Sequence, residues 1–343
     1  MGNKKTIKWG ILGCGRIANK FAEALGKAND SVRFAAASRD AGRAADFAAK
    51  WGFEKSYGSY TELLNDPKLD IVYIATPHSF HFAHTKRCLE AGKHVLCEKP
   101  FTINADQLEV LITLARSRKL FLMEALWSRF LPGIIETKAL LDNGVIGDVI
   151  TMEADFGINF PFDPESRIFN PHLAGGALLD IGIYPLFLSL FLFGKPAVMK
   201  AHSVLNDNKI DLTTSLISQS TTGTVSHLNS TIQAATPVKA RIFGTMGNIE
   251  FGNKWFTPVN ITLRIDGEKE EVLEFPPLAN GYEYEAMEAV SCLQQGLTES
   301  RLMSHEFSML LMKQMDQIRQ TTGITYPAEI ENINKPYGWE DFR

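Results

Sequence analysis

An acid and a phenol stand four residues apart in a segment that is otherwise almost wholly apolar. They are Asp180 and Tyr184, in AGGALLDIGIYPLFLSLFLFG, residues 174–194. If the segment is a helix, this spacing places both side chains on one face, and the glycines at 175 and 176 let a ligand or another stretch of backbone come close. Polar groups on an apolar helix cost free energy unless they are paired or used in chemistry. From the segment alone, a catalytic pair and a satisfied core pair are equally good interpretations.

A lysine that could assist the phenol follows a predicted strand in HVLCEKPFT, residues 94–102. Glu98 and Lys99 then lie at the carboxyl end of a parallel strand, the edge on which open α/β sheets build their sites. Hydride transfer between a carbinol and a nicotinamide needs a group that takes the hydroxyl proton. Because a nearby ammonium favours phenolate and so lowers the pKa of a phenol, Lys99 and Tyr184 together fit that chemistry.

The nucleotide that such a reaction needs has a candidate site near the N-terminus. WGILGCGRIANKF places Gly13, Gly15 and Ala18 in GxGxxA spacing between an apolar run and a helical pattern. The first glycine permits a tight turn, the second lets the backbone approach a pyrophosphate, and the helix N-terminus supplies amide donors. The position in a first βα turn favours a dinucleotide site over a glycine turn without a ligand. The predicted cofactor-binding residues are Gly13, Gly15, Arg16, Ile17, Ser38, Arg39, Arg43, Thr76, Pro77, His81, Glu98 and Lys99.

The end of the second predicted strand bears on the choice of nucleotide. VRFAAAS ends not in an acid but in Ser38 and Arg39, followed by Asp40, with Arg43 a turn later. A hydroxyl and guanidinium groups suit a 2′-phosphate, so NADP is predicted and NAD stays possible. In the alternative, Arg39 lies in solvent and Asp40 accepts hydrogen bonds from the ribose hydroxyls of NAD.

A metal site is not predicted. His78, His81 and His84 are spaced by three, which keeps one helical face less well than a spacing of four, and no carboxylate or thiol pattern joins them.

The elements that must position these side chains predict two domains of an α/β protein. The first third alternates short β-type runs with helical patterns, which indicates a doubly wound parallel sheet, a Rossmann domain over residues 1–126. After Trp127 the pattern changes to a helix over about 133–143, a strand, the apolar segment, several turn-separated strands and two amphipathic helices. We expect residues 127–343 to form an α/β domain with an open, mostly antiparallel sheet.

Composition limits the partners. The 343 residues carry a formal net charge of −4, which favours neither nucleic acid nor an anionic membrane. The four cysteines show no paired spacing and are read as free thiols of a reducing compartment.

Residues 174–194 are long enough to cross a bilayer, but Asp180 and Pro185 favour a buried core helix. The start MGNKKT is read neither as a signal peptide nor as a lipidation site.

Taken in order, GCGRIA, ATPHSFH, EKPFT and GGALLDIGIYPL make the whole chain resemble the glucose-fructose oxidoreductase and inositol dehydrogenase family (Gfo/Idh/MocA). EALWSRFLP and YEYEAMEAVSCLQQGLTES are most similar to the branch that contains dimeric dihydrodiol dehydrogenase and NADP-dependent xylose 1-dehydrogenase. The resemblance implies that Lys99 is the active-site lysine, Asp180 a substrate-orienting acid and Tyr184 the proton-transferring residue. Many members have histidine in place of this tyrosine, which argues against an inositol-type substrate.

The resemblance also implies a pocket, an assembly and a class of substrate. The predicted substrate-binding residues are Trp127, Arg129, Phe156 and Trp255, and for Trp255 a plain core position is an equal alternative. We expect a cytoplasmic homodimer that pairs through the C-terminal sheet and acts on a ring carbinol of an aldose, anhydro-sugar or cyclic trans-diol. Two alternatives are a non-catalytic dinucleotide- or sugar-sensing protein and an NAD-dependent glycoside hydrolase.

Overall fold

The structure, a computed structural model, describes residues 5–327 and residue 329. Within these residues, contacts divide the chain into two compact units. The first contains residues 5–127, 278–309 and residue 329, and the second contains residues 128–277 and 310–327. Most of the N-terminal hexapeptide, for which no signal or lipid is predicted, lies outside the described residues, as does nearly all of the chain after 327.

The first unit is built on a six-stranded parallel sheet, as the alternating pattern predicts. Its strands in chain order are β1 Ile7–Leu12, β2 Ser31–Ala37, β3 Lys55–Tyr57, β4 Ile71–Ile74, β5 His94–Glu98 and β6 Leu122–Ala125. Its helices are α1 Arg16–Leu25, α2 Ala41–Trp51, α3 Tyr60–Leu64, α4 His81–Glu90 and α5 Ala105–Arg118. The spatial order is β3-β2-β1-β4-β5-β6, the doubly wound order in which a ligand crevice opens where the strand order reverses, between β1 and β4.

The second unit carries the larger sheet. After helix α6 Pro132–Asp142 come β7 Val149–Gly157, a π-helical turn Leu178–Gly182 and α7 Ile183–Phe193. The remaining strands are β8 Pro196–Leu205, β9 Asp211–Ser220, β10 Val225–Thr231, β11 Ala240–Gly244, β12 Gly247–Phe251, β13 Ile261–Ile265 and β14 Glu271–Leu273. Their order is β14-β13-β12-β11-β7-β10-β9-β8, and every neighbouring pair is antiparallel except β7 with β10. The predicted α/β class with an open, mostly antiparallel second sheet is confirmed.

The last two described helices are α8 Glu283–Gln294 and α9 His305–Thr322. Helix α8 packs on α1. The first turn of α9 is bonded to β6, where the ring Nε2 of His305 is 2.8 Å from the main-chain oxygen of Leu122. Residues 278–309 are therefore grouped with the first unit, whereas the sequence pattern assigns everything after 126 to the second domain. The boundary after residue 126 stays a sequence prediction. The contacts that group residues 278–309 with the first unit join residues far apart in the chain, so no local sequence pattern indicates them.

The apolar segment that opens the sequence analysis is helical but not uniformly so. Its first part is the π-helical turn and its second part is α7, with Pro185 near the start of α7. Proline has no N–H, and in a regular α-helix its ring would clash with the carbonyl four residues earlier. A wider turn at this point relieves that conflict. By length and composition residues 171–193 could cross a membrane, yet 89% of their most apolar window is buried inside the protein, as in a core helix.

Candidate active site

The loops after β1 and β4 meet at the reversal of the strand order. Gly13 has φ +97°, and a Cβ on it would lie 3.1 Å from the main-chain oxygen of Ala75 and from the side chain of Thr76. A side chain at this position is excluded both by the backbone conformation and by the neighbouring loop. The structure therefore brings the predicted glycine turn and Thr76-Pro77 together at one edge of the first unit's sheet.

The next glycine leaves the start of α1 accessible. Gly15 is exposed and is the N-cap of α1, and no side chain caps the amides of the helix's first turn. Arg16 is exposed beside it and Ile17 is half-buried. Uncapped amides and the helix dipole suit an anion, so this turn fits the pyrophosphate of a dinucleotide.

Asp40, the acid that follows β2, is hydrogen-bonded to the backbone of the next helix. The Asp40 carboxylate accepts a hydrogen bond of 3.0 Å from the main-chain N–H of Arg43 and so caps α2. Arg39 and Arg43 are exposed, and Ser38 is buried with its Oγ accepting the N–H of Asp40 at 3.3 Å. Burial raises the pKa of the Cys14 thiol to about 11, although the positive charge of Arg43 acts in the opposite direction. Which of these side chains meets the ribose stays a prediction.

His81 bridges two of the predicted site loops. Its buried ring has Nδ1 at 2.7 Å from the main-chain oxygen of Pro100 and Nε2 at 2.8 Å from that of Thr76. The ring thus joins the loop after β4 to the loop after β5. Its direct contact with a cofactor stays a prediction, and the geometry favours a role in holding Thr76 and Lys99 in place.

The carboxylate beside the predicted catalytic lysine is buried. The phenol of Tyr73 donates a hydrogen bond to Glu98, which is 5% exposed, and the main-chain N–H of Lys99 donates to the other oxygen of that carboxylate at 3.2 Å. Burial, followed by the negative charges of Glu98 and Glu285, raises the pKa of Tyr73 well above its ordinary value, so this phenol keeps its proton. Glu98 therefore anchors the strand end, while Lys99 is half-buried at the carboxyl edge of the sheet.

Asp180 has a charged partner that the sequence analysis does not predict. In the second unit, Arg167 donates Nη1–H to one carboxylate oxygen of Asp180 at 3.0 Å and Nη2–H to the other at 3.2 Å. The Asp180 side chain is only 9% exposed. Arg167 lies thirteen residues upstream in an irregular loop, so no periodicity or motif connects it with the acid.

Tyr184 sits among aromatic rings. Its ring centroid lies 5.5 Å from that of Phe156 and 5.3 Å from that of Phe256, and those two phenylalanines stack at 4.1 Å. Phe256 is not among the predicted residues. Its neighbour Trp255 is fully buried and donates its indole N–H to the main-chain oxygen of Asp155 at 2.9 Å, which favours the core alternative for that tryptophan.

Two further predicted pocket residues have partners of their own. In the first unit, Trp127 stacks on Tyr282 with ring centroids 4.4 Å apart. In the second, the Arg129 guanidinium lies 4.0 Å from the centroid of Phe191. Their contact with a substrate stays a prediction.

His78 lies in a short helical turn after β4, and His81 and His84 lie in α4. Across residues 5–327 no group of three or more His, Cys, Asp or Glu side chains is placed to hold an ion. Burial lowers the pKa of His84 to about 3, and its Nδ1 lies 3.0 Å from the hydroxyl of Thr76.

A doubly wound domain with an accessible glycine turn fits a dinucleotide, and together with the family and the relatives that follow it defines the chain as an NAD(P)-dependent dehydrogenase that acts on CH–OH groups. Residues 7–126 match the family model described as oxidoreductase family, NAD-binding Rossmann fold, and residues 134–250 match the GFO/IDH/MocA C-terminal domain. The chain belongs to this GFO/IDH/MocA family, as its motifs predict.

Named relatives and solved structures resemble it over nearly its full length. It is 39% identical over 332 residues to trans-1,2-dihydrobenzene-1,2-diol dehydrogenase of Xenopus tropicalis, an alignment that covers 93% of this chain and 99% of that protein. It is 36% identical over 337 residues to the mouse enzyme of the same name, with coverage of 94% and 99%. The 3-ketoreductase KijD10 of Actinomadura kijaniata, solved with NADP and TDP-benzene, matches with a TM-score of 0.82 and 27% identity over 93% of this chain and 98% of that one.

Proposed function

We propose that this dehydrogenase uses NADP to interconvert a ring carbinol and a carbonyl on a sugar or cyclic trans-diol, with Tyr184 exchanging the proton and Lys99 assisting. The single observation that carries the proposal is the segment 178–184. It presents an ion-paired acid and a phenol in an aromatic setting, in a chain whose relatives at 34–39% identity are named dihydrodiol dehydrogenases.

The roles follow from the environment of each side chain. Phe156 and Phe256 shield the Tyr184 ring from water, and an unassisted phenol has a pKa of about 10. A cation such as the Lys99 ammonium favours phenolate and makes the hydroxyl a usable proton acceptor. Asp180 accepts hydrogen bonds from substrate hydroxyls and orients them. Bound nicotinamide supplies C4 as the hydride acceptor, or as the donor in the reverse direction.

The preference for NADP rests on the residues after β2. Asp40 is engaged as a helix cap, and the exposed Arg39 and Arg43 can offer paired donors to a 2′-phosphate. The glycine turn and the start of α1 would hold the pyrophosphate.

Tyr184→Phe is the experiment that decides this proposal. Removing the phenolic oxygen should lower kcat by a factor of about 100 or more, since general acid–base catalysis contributes typically 10²–10⁴-fold. NADPH affinity, measured by fluorescence titration, should change less than twofold. The panel of substrates comprises aldoses, anhydro-sugars and cyclic trans-diols, each with NADP and NAD.

Phe187→Tyr, another aromatic change on α7 but at a fully buried position, reports what a packing defect alone does to turnover. Full activity of Tyr184→Phe would overturn the assignment of the proton-transferring residue. A wild-type chain that binds NADPH but turns over nothing in the panel would favour a sensing protein of the same fold.

We also propose that the second unit pairs with a second copy of the chain through the open face of its sheet. Strands β7 to β10 expose a broad depression of about 810 Å³ on this face, and Ile217 is 53% exposed there, between Lys200 on β8 and His227 on β10. The depression combines this apolar side chain with charged ones such as Lys200 and Arg241, and an uncovered sheet face of this kind can be buried against a partner. Ile217→Arg should convert the dimer to a monomer in light scattering, whereas Val110→Arg on α5 should not; an unchanged mass for Ile217→Arg would exclude this face.

The proposal also covers the partners of the protein and its location in the cell. The substrate is a small molecule, with neither nucleic acid nor membrane as partner, and the four thiols Cys14, Cys88, Cys97 and Cys292 are all unpaired, as suits a reducing cytoplasm. Subcellular fractionation tests the location, and recovery in an oxidising compartment would contradict it.

A further inference from the structure

We infer that Arg167 is a positioning residue for the reaction: its guanidinium holds the Asp180 carboxylate in one orientation, on the segment that also carries the proton-transferring phenol. The inference rests on the proposed function, because it assigns Arg167 a role through Asp180.

The ion pair has the geometry that fixes both partners. The two N–H···O contacts of 3.0 and 3.2 Å join different nitrogens to different oxygens, so the planar guanidinium faces the planar carboxylate along two parallel bonds. The acid side chain is 9% exposed and the arginine side chain 33%. A carboxylate so far removed from water needs a charged partner to stay ionised, and a two-point contact also sets the plane of the carboxylate.

The backbone of Arg167 is held against the same segment. Gly176 donates its N–H to the main-chain oxygen of Ile168 at 2.8 Å. A Cβ on Gly175 would lie 2.4 Å from that oxygen and 2.7 Å from the main-chain oxygen of Arg167, closer than any side chain tolerates. The diglycine at the start of the apolar segment therefore lets the arginine loop lie directly on it. Of the two close approaches that the sequence permits, ligand or backbone, the structure shows a backbone at Gly175.

This arrangement gives the acid and the phenol different roles in the reaction. A guanidinium in two-point contact stabilises the ionised form of a carboxyl, and that form accepts hydrogen bonds but donates none. Proton exchange then falls to Tyr184. If the guanidinium is removed, the carboxylate loses two charge-assisted hydrogen bonds that favour its ionised form and fix its plane, so it takes up a proton more readily and orients a substrate less well.

A double-mutant cycle between Arg167→Gln and Asp180→Asn tests this role. We expect Arg167→Gln to lower kcat about tenfold or more and to move the acid limb of the kcat profile upward by about one pH unit. The KM for NADP should stay within twofold. In the Asp180→Asn background, Arg167→Gln should change kcat less than twofold, since a residue that acts only through Asp180 has nothing left to act on.

Two further variants separate charge, geometry and folding. Arg167→Lys keeps the charge but not the two-point fork, so we expect the acid limb near its wild-type position with kcat still reduced. Arg264→Gln removes an exposed guanidinium that pairs with Glu250 and Glu270 in the same unit and should leave turnover unchanged.

An unchanged kcat and acid limb in Arg167→Gln would overturn the inference. So would an equal loss of kcat in the Asp180→Asn background, because Arg167 would then act on the substrate directly. The proposed function is decided separately, by Tyr184→Phe, so that failure of one is not mistaken for failure of the other.

Discussion

Asp40 and Asp180 show how hydrogen bonds decide what a carboxylate can do. Asp40 is the first acid after β2, where NAD-binding chains place the acceptor for ribose hydroxyls, yet its carboxylate accepts the main-chain N–H of Arg43. Asp180 is fixed by Arg167 instead. The sequence predicts a role for Asp180 and offers Asp40 as an alternative, but only the contacts show that Asp40 caps a helix and that Asp180 has a cationic partner.

The exposed guanidinium of Arg39 leads to a prediction about cofactor choice. Arg39→Ala should raise the Kd for NADPH about tenfold or more, because a hydrogen bond between charged groups contributes about 1.5–3 kcal/mol, while the Kd for NADH should change little. Fluorescence titration with both reduced cofactors measures the two constants. Lys86→Ala, which removes an exposed cation on α4, is the matched control. Equal weakening of NADH and NADPH would show that Arg39 does not recognise the 2′-phosphate.

The apolar segment shows what packing adds to a predicted helix. Its composition and the spacing of Asp180 and Tyr184 predict one helix, and the structure confirms that a helix is present. Periodicity does not reveal the π-helical turn, because the wider turn depends on Pro185 and on the neighbours against which the segment packs. One such neighbour is the Asp211 carboxylate, which accepts the N–H of Leu178 at 2.7 Å.

The close approach at Gly175 leads to a prediction about this segment. Gly175→Ala should lower the free energy of unfolding by about 1–3 kcal/mol, since the new methyl group overlaps two main-chain oxygens of the arginine loop. It should also lower kcat, because the loop carries Arg167. Chemical denaturation and steady-state kinetics measure the two effects. Gly42→Ala, at the exposed start of α2, should be close to neutral, and a Gly175→Ala variant as stable and active as the wild type would contradict this role of the diglycine.

Considered as a whole, the chain carries ionisable groups whose burial links its stability to pH. Asp211 is fully buried, and that burial raises the pKa of its carboxyl to about 7, although hydrogen bonds from Leu178 and Thr214 act in the opposite direction. Between about pH 4 and pH 7 the folded protein therefore holds a proton that the unfolded chain has released. The free energy of unfolding therefore falls as pH rises through this window, and the loss stays constant at higher pH.

Asp211→Asn should remove this contribution. We expect the variant to gain stability relative to the wild type as pH rises from 4 to 7, by an amount on the order of 2–4 kcal/mol. Urea denaturation at several pH values measures the difference, and Asp207→Asn at an exposed position provides the control. A difference between variant and wild type that does not depend on pH would show that the Asp211 carboxyl does not titrate in this window.

The grouping of the chain into units also departs from a simple reading along the sequence. The parallel sheet of the first unit and the mostly antiparallel sheet of the second follow from the local patterns, and both are confirmed. The grouping of residues 278–309 with the first unit does not follow from those patterns. The apolar face of an amphipathic helix such as α8 indicates that the helix packs against another element. The pattern does not indicate whether that element belongs to the first unit or to the second.

Local chemistry and spacing were enough to predict the fold class, the family, the glycine turn and the residues proposed for catalysis, because each depends on neighbours within one turn or one strand end. The pairing of Arg167 with Asp180, the placement of Phe256 beside Tyr184 and the anchoring of Glu98 by Tyr73 required the folded structure. Each joins residues from separate elements. Such contacts arise from long-range packing, which balances the burial of charge and apolar surface over a whole unit and leaves no periodic trace in the sequence.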